Sequence, residues 1–187
     1  MFPQVEQYAE QSFADYKLVA NRENRGIKDS FAEAHEPECC GLFGENRTRE
    51  RNMKVTKYQF QHHGDARGQL AVLEEGKDFP FPVKRIYYIY GTQPGVPRGF
   101  HAHKALNQVL ICIHGSCKVL LDDGREKAVV ELNDPAEGLL VSAKVWHEMY
   151  DFTQDAILLV LASDFYQEAD YIRDYDVFLA YMGVDKQ

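Results

Sequence analysis

The sequence predicts an all-β chain, an antiparallel sandwich or barrel, with a C-terminal helix and a helical or irregular N-terminal extension. Three observations carry this reading. From Met53 onward, short runs rich in Val, Ile, Leu and aromatic residues recur between turn residues, with no helical stretch among them. In one run, Arg98-Gly99-Phe100-His101-Ala102-His103, two histidines occupy alternate positions, so both imidazoles should look toward one face of a strand. The tail alone changes period, with Ile172, Tyr175, Phe178 and Leu179 at helical spacing and Ser163-Asp164 offering capping chemistry upstream.

Taken in order, residues 1–52 differ from the rest. Val5, Tyr8, Ser12, Phe13 and Tyr16 fit a short amphipathic helix, and mostly polar sequence follows, ending in Glu45-Asn46-Arg47-Thr48-Arg49-Glu50-Arg51. This reads as a loosely attached arm, with partner binding as its functional alternative. The domain proper is residues 53–187. Val55 to Phe60 alternates, His62 to Gly68 punctuates, and Gln69 to Glu74 resumes. Val83 to Tyr90, the histidine strand, Gln108 to His114 and Ser116 to Leu121 follow. Asp123-Gly124 signals a hairpin into Glu126 to Leu132, and Gly138 to Tyr150 and Ala156 to Ala162 complete the series.

Composition narrows the function. A formal net charge of -8 disfavours nonspecific nucleic-acid binding, and an anionic small substrate would need arginines gathered at its site. No apolar run is long enough to span a bilayer and the start has no secretory pattern, so the expected location is the cytoplasm. Cys39, Cys40, Cys112 and Cys117 lack the spacing of a zinc site and read as reduced thiols.

The spacing Gly95, His101, His103, Gln108, Gly115 resembles the first cupin motif, a double-stranded β-helix or jelly-roll barrel, with glutamine in the glutamate position. His147 resembles the histidine of the second cupin motif, although Ser142 and Lys144 replace its usual proline and glycine. A neutral amide is a weak ligand and cannot offset metal charge, so no metal and no cofactor is expected. His101 and His103 are then available as general bases.

The likeness extends further. Lys84 to Ile89, Arg98 to Lys104, Gln108 to Cys112, Gly115 to Val119, Leu121 to Gly124, Val145 to Met149, Leu161 to Asp164 and Asp170 to Tyr175 together resemble the dTDP-sugar 3,4-ketoisomerases, the WxcM-like cupins. That resemblance runs from about Met53 to Tyr181, and chains of this type generally begin near where Met53 stands. It implies a dTDP-linked 4-keto-6-deoxy sugar as substrate, isomerised to the 3-keto sugar through an enediol, and a homodimer with exchanged N-terminal strands.

Within that reading, His101 is the expected base and His103 its partner in relay or orientation, with the two roles open to exchange. Tyr87 and Tyr88 lie on opposite faces of a strand, and Tyr87, which shares its face with Arg85, is preferred as the catalytic one. Arg98, Arg67 and then Arg85 are the expected diphosphate partners, since guanidinium groups bind phosphate oxygens bidentately. Gln108 and His147 complete the expected substrate contacts. Two other readings stay open: a metal-dependent cupin oxygenase or isomerase, disfavoured by Gln108, and a noncatalytic sugar-binding cupin, disfavoured by the histidine pair.

Overall fold

A computed structural model describes residues 53–184, so the expected arm over residues 1–52 lies outside the described residues. Among the described residues, twelve strands are followed by one α-helix. They are β1 (Lys57–Gln59), β2 (Gln61–Asp65), β3 (Gly68–Val72), β4 (Arg85–Ile89), β5 (Arg98–His103) and β6 (Gln108–His114). After these come β7 (Cys117–Asp122), β8 (Lys127–Leu132), β9 (Glu137–Val141), β10 (Trp146–Tyr150), β11 (Ile157–Ala162), β12 (Tyr171–Ile172) and the helix α1 (Tyr175–Met182). Strand order is β1-β9-β6-β11-β4 in one five-stranded sheet and β12-β5-β10-β7-β8 in the other, while β2 and β3 form a hairpin of their own. All pairings within the sheets are antiparallel, giving the expected cupin jelly roll.

The main core lies between the two sheets and includes Leu110, Cys112, Val119, Leu121, Leu139, Met149, Leu158 and Val160. β6 is buried on both faces over its first five residues, because Val109 and Ile111 pack outward against Phe60, Phe79, Phe81 and Leu161. This is why Gln108 to His114 reads as a continuous apolar run rather than an alternating one. Phe178, fully buried against Ala102, Trp146 and Ile172, anchors α1 to the outside of the second sheet. Burying one such ring contributes about 1.5–3 kcal/mol.

Three local readings are corrected. Gly138 to Tyr150 is not one strand: residues 142–145 turn between β9 and β10, with Lys144 at φ 64. His62 to Asp65 is not punctuation but most of β2, and its turn is closed by the Asp65 carboxylate accepting from the Arg67 N–H at 2.8 Å. Every β2 residue is exposed, so no hydrophobic alternation marked it. The helix begins at Tyr175 with Asp174 as its cap, accepting from Val177 N, while Ser163 instead accepts from Asn107 N. Ile172 belongs to β12, whose two residues pair with β5. None of the described helices is long and apolar enough to cross a membrane.

Candidate active site

The site is built where β5 meets β10. His101 pairs with His147 and Gly99 with Glu148, so Phe100 is an extra residue that bulges from β5 with φ 52. Gly99 makes the bulge possible: its φ is 101, and a Cβ there would stand 2.8 Å from the His147 carbonyl oxygen. The bulge sits directly before the alternating pair His101 and His103, whose ring centroids are 4.9 Å apart and nearly perpendicular.

A cavity of about 260 Å³ opens at this point, lined by Tyr87, Arg98, His101, Gln108 and His147, and by Tyr171 and Arg173 from the tail. His101 Nδ1 lies 2.8 Å from the Gly99 carbonyl oxygen, to which it donates, and this leaves its Nε2 lone pair without a partner among the described residues. Burial, reinforced by the neighbouring His103 and Arg173, pushes its pKa down to about 4 against the opposing pull of the Gly99 carbonyl. At neutral pH His101 is an unprotonated imidazole facing the cavity.

His103 is placed differently. It is fully buried and does not line the cavity; its Nδ1 lies 3.0 Å from Asp170 Oδ2 and its Nε2 lies 3.4 Å from Gln108 Nε2. Burial lowers its pKa, opposed by the Asp170 carboxylate. His147 is also buried and is held well below the usual histidine range by desolvation and by His101 and His103. The phenol of Tyr87 accepts from Gln108 Nε2 at 3.0 Å, and burial pushes its pKa up to about 12, so it keeps its proton. Tyr88, on the opposite face of β4, points outward.

The three expected arginines separate. Arg98 lines the cavity at the start of β5. Arg85 stacks on the rings of Tyr87 and Tyr166, 5.2 and 5.7 Å from their centroids, and is not a lining residue. Arg67 sits on the β2–β3 turn, paired with Asp65, and this chain's cavity does not include it. His114 is likewise outside, in an exposed pair with Asp155.

Residue-level reasoning missed Tyr171, Arg173 and Asp170. The Tyr171 ring packs 4.9 Å from His101 and 4.3 Å from His103, and the Arg173 guanidinium lies 4.2 Å over Tyr171 while held by Glu168 through two 2.9 Å bonds. Their one trace in the sequence was their place in the Asp170 to Tyr175 stretch of the family likeness. A cupin metal does not fit this donor set: Gln108 supplies no negative charge, and both His103 nitrogens face other partners.

The family described as FdtA: WxcM-like, C-terminal matches residues 53–183. The chain belongs to this WxcM-like family. A curated relative, the TDP-4-oxo-6-deoxy-alpha-D-glucose-3,4-oxoisomerase of Aneurinibacillus thermoaerophilus, is 55% identical over 119 residues, which is 64% of this chain and 86% of that one. Among solved structures, a 3,4-ketoisomerase from Helicobacter canadensis is 51% identical, with a TM-score of 0.68 over 71% of this chain and 99% of that one. QdtA, a sugar 3,4-ketoisomerase from Thermoanaerobacterium thermosaccharolyticum in complex with TDP, is 45% identical, with a TM-score of 0.68 over 69% and 94%.

Proposed function

We propose that this chain is a sugar-nucleotide 3,4-ketoisomerase, converting dTDP-4-keto-6-deoxyglucose to a dTDP-3-keto-6-deoxyhexose. The observation that carries the reading is one cavity lined by both a neutral imidazole with an open nitrogen, His101, and a phenol that keeps its proton, Tyr87. The names of the relatives supply the substrate class.

The 4-keto group acidifies the proton on C3. His101 Nε2 takes that proton, the C–H electron pair becomes the C3=C4 bond, and the carbonyl pair moves to O4, which receives the Tyr87 proton. In the second half the O3 proton returns to Tyr87 as C3=O forms, and the His101 imidazolium gives its proton to C4. Net, C3 loses a hydrogen and C4 gains one, the imidazolium proton exchanging with solvent in between, and one proton passes from O3 to O4 by way of Tyr87. No electrons leave the sugar, so no redox cofactor is needed. His103, with Asp170 on one side and Gln108 on the other, orients the site rather than abstracting the proton.

Arg98 meets the diphosphate at the cavity mouth, His147 and Gln108 border the sugar, and the protein works as a homodimer. The β2–β3 hairpin supports the dimer: no other described strand of its own chain pairs with it, and it carries Arg67 and the exposed Leu70. On this reading Arg67 reaches the diphosphate in the partner's cavity, while Arg85 acts on substrate only through Tyr87.

The test is incubation with dTDP-4-keto-6-deoxyglucose in D2O and NMR of the product. A 3-keto sugar carrying deuterium at C4 is expected, and His101→Asn should lose about 10²–10⁴-fold in rate. Chelator treatment should leave the rate unchanged. Activity that vanishes with chelator and returns with a divalent metal would replace this reading with the metal-dependent one.

A further inference from the structure

Gln108 is fully buried at the start of β6, yet its side chain reaches both Tyr87 and His103. The orientation of its amide follows from a chain of fixed partners. Asp170 is anchored by the Ala105 N–H, 2.9 Å from Oδ1, and its Oδ2 lies 3.0 Å from His103 Nδ1. A neutral imidazole that donates from Nδ1 has a bare Nε2. Only the nitrogen side of the Gln108 amide can face that lone pair, at 3.4 Å. The same nitrogen lies 3.0 Å from Tyr87 Oη, which therefore accepts there.

The geometry points to Gln108 as the positioning residue that decides where the Tyr87 proton goes: with its oxygen already accepting from the amide, the phenol is left to offer its own proton to the cavity. This rests on the isomerase reading above and extends it to a residue that need not touch the reacting atoms. The buried Gln108 Oε1 has no hydrogen-bond partner among the described residues, which is the cost of this orientation. Turning the amide over would satisfy Oε1 with the Tyr87 hydroxyl, but it would draw the phenolic proton inward and set the carbonyl against the bare His103 nitrogen.

The same argument explains glutamine at a position where metal-binding cupins carry glutamate. A carboxylate at 108 would accept the Tyr87 proton, and it would hold His103 as an imidazolium between two carboxylates, its own and that of Asp170. Burial acts in the direction the proposal needs, keeping the phenol protonated and His103 neutral.

The tautomer is read by NMR of the full-length protein with ¹⁵N-labelled histidine, the His103 signals being assigned by their loss in His103→Asn. The parent at neutral pH should show Nδ1 protonated and Nε2 bare, and Gln108→Glu should show both protonated. A proton on Nε2 in the parent, or an unchanged ring in Gln108→Glu, would overturn the proposal. Kinetics supply a second arm. Gln108→Met, which removes the N–H groups without adding charge, should lower kcat about 10- to 100-fold while leaving TDP affinity within about twofold. In the double variant Tyr87→Phe/Gln108→Met the rate should fall no further than in Tyr87→Phe alone, because both changes remove one donor. Losses that multiply would assign Gln108 a merely structural role. Should the parent form no 3-keto product, the isomerase reading fails, while the spectrum still decides the amide orientation without substrate.

Discussion

The His101 and His147 rings, on residues paired across β5 and β10, meet edge to face with centroids 4.4 Å apart. Two imidazoles this close in a buried space oppose each other's protonation, and His103 adds to the effect. Burial first, and this repulsion second, keeps His101 and His147 neutral well below the pH at which free histidine gains a proton, and burial lowers the pKa of His103 as well.

The acid limb of kcat/KM should accordingly lie near pH 4, the pKa of the His101 base in the free protein, with activity lost as pH falls through that value. A half-maximal rate near pH 6.5 would show that an exposed histidine controls turnover. Stability should move in the same direction. The unfolded chain takes up protons on these histidines below about pH 6.5 while the folded chain does not, so stability is full above that pH and is lost on the way down. Thermal midpoints measured between pH 8 and pH 5 should fall across the lower part of this range, and His101→Asn should lessen the slope.

Arg98→Ala should weaken TDP binding roughly 10- to 100-fold, the worth of charge-assisted bonds to phosphate, with a smaller effect on proton exchange in bound substrate. Arg67→Ala should do the same only through the dimer. Mixing Arg67→Ala chains with His101→Asn chains should restore activity above either parent variant, since one cavity of each mixed dimer regains both residues. Equal TDP affinity in Arg98→Ala and the parent protein, by calorimetry, would remove Arg98 from the clamp.

Gly99→Ala places a methyl group against the His147 carbonyl oxygen and forces a φ of 101 on a residue that resists it. The strain alone should cost about 1–3 kcal/mol, and relief by flattening the bulge would separate His101 from His147. Both the thermal midpoint and kcat should fall. A variant with parental stability would mean that the bulge is not what sets the two histidines.

Much of this site was legible in spacing. His101 and His103 alternate, Gln108 opens the next strand, and Tyr87 shares a strand face with Arg85, all within a stretch where turn residues set off the strands. Tyr171, Arg173 and Asp170 were not, because β12 has two residues and no hydrophobic pattern of its own; it exists only through pairing with β5. The β2 strand escaped for a related reason, being exposed throughout. Arg67 illustrates a different limit: expected as a phosphate partner, it lies on the exposed β2–β3 turn outside this chain's cavity, and local sequence does not describe what faces that turn.

Deleting residues 1–52 should leave the thermal midpoint and turnover nearly unchanged, because all twelve described strands and the family match lie beyond them. Aggregation or loss of the dimer in the shortened protein would show that the segment belongs to the fold.

The two-residue strand β12 has a consequence for synthesis. The strands that enclose the main core end at Ala162, and Asp170, Tyr171 and Arg173 are joined to the chain after it. Without them His101 has no aromatic ring from the tail beside it, and His103 Nδ1 has no carboxylate to face. A chain stopped short of Asp170 would lack β12 and, with it, the carboxylate at His103 and the ring beside His101.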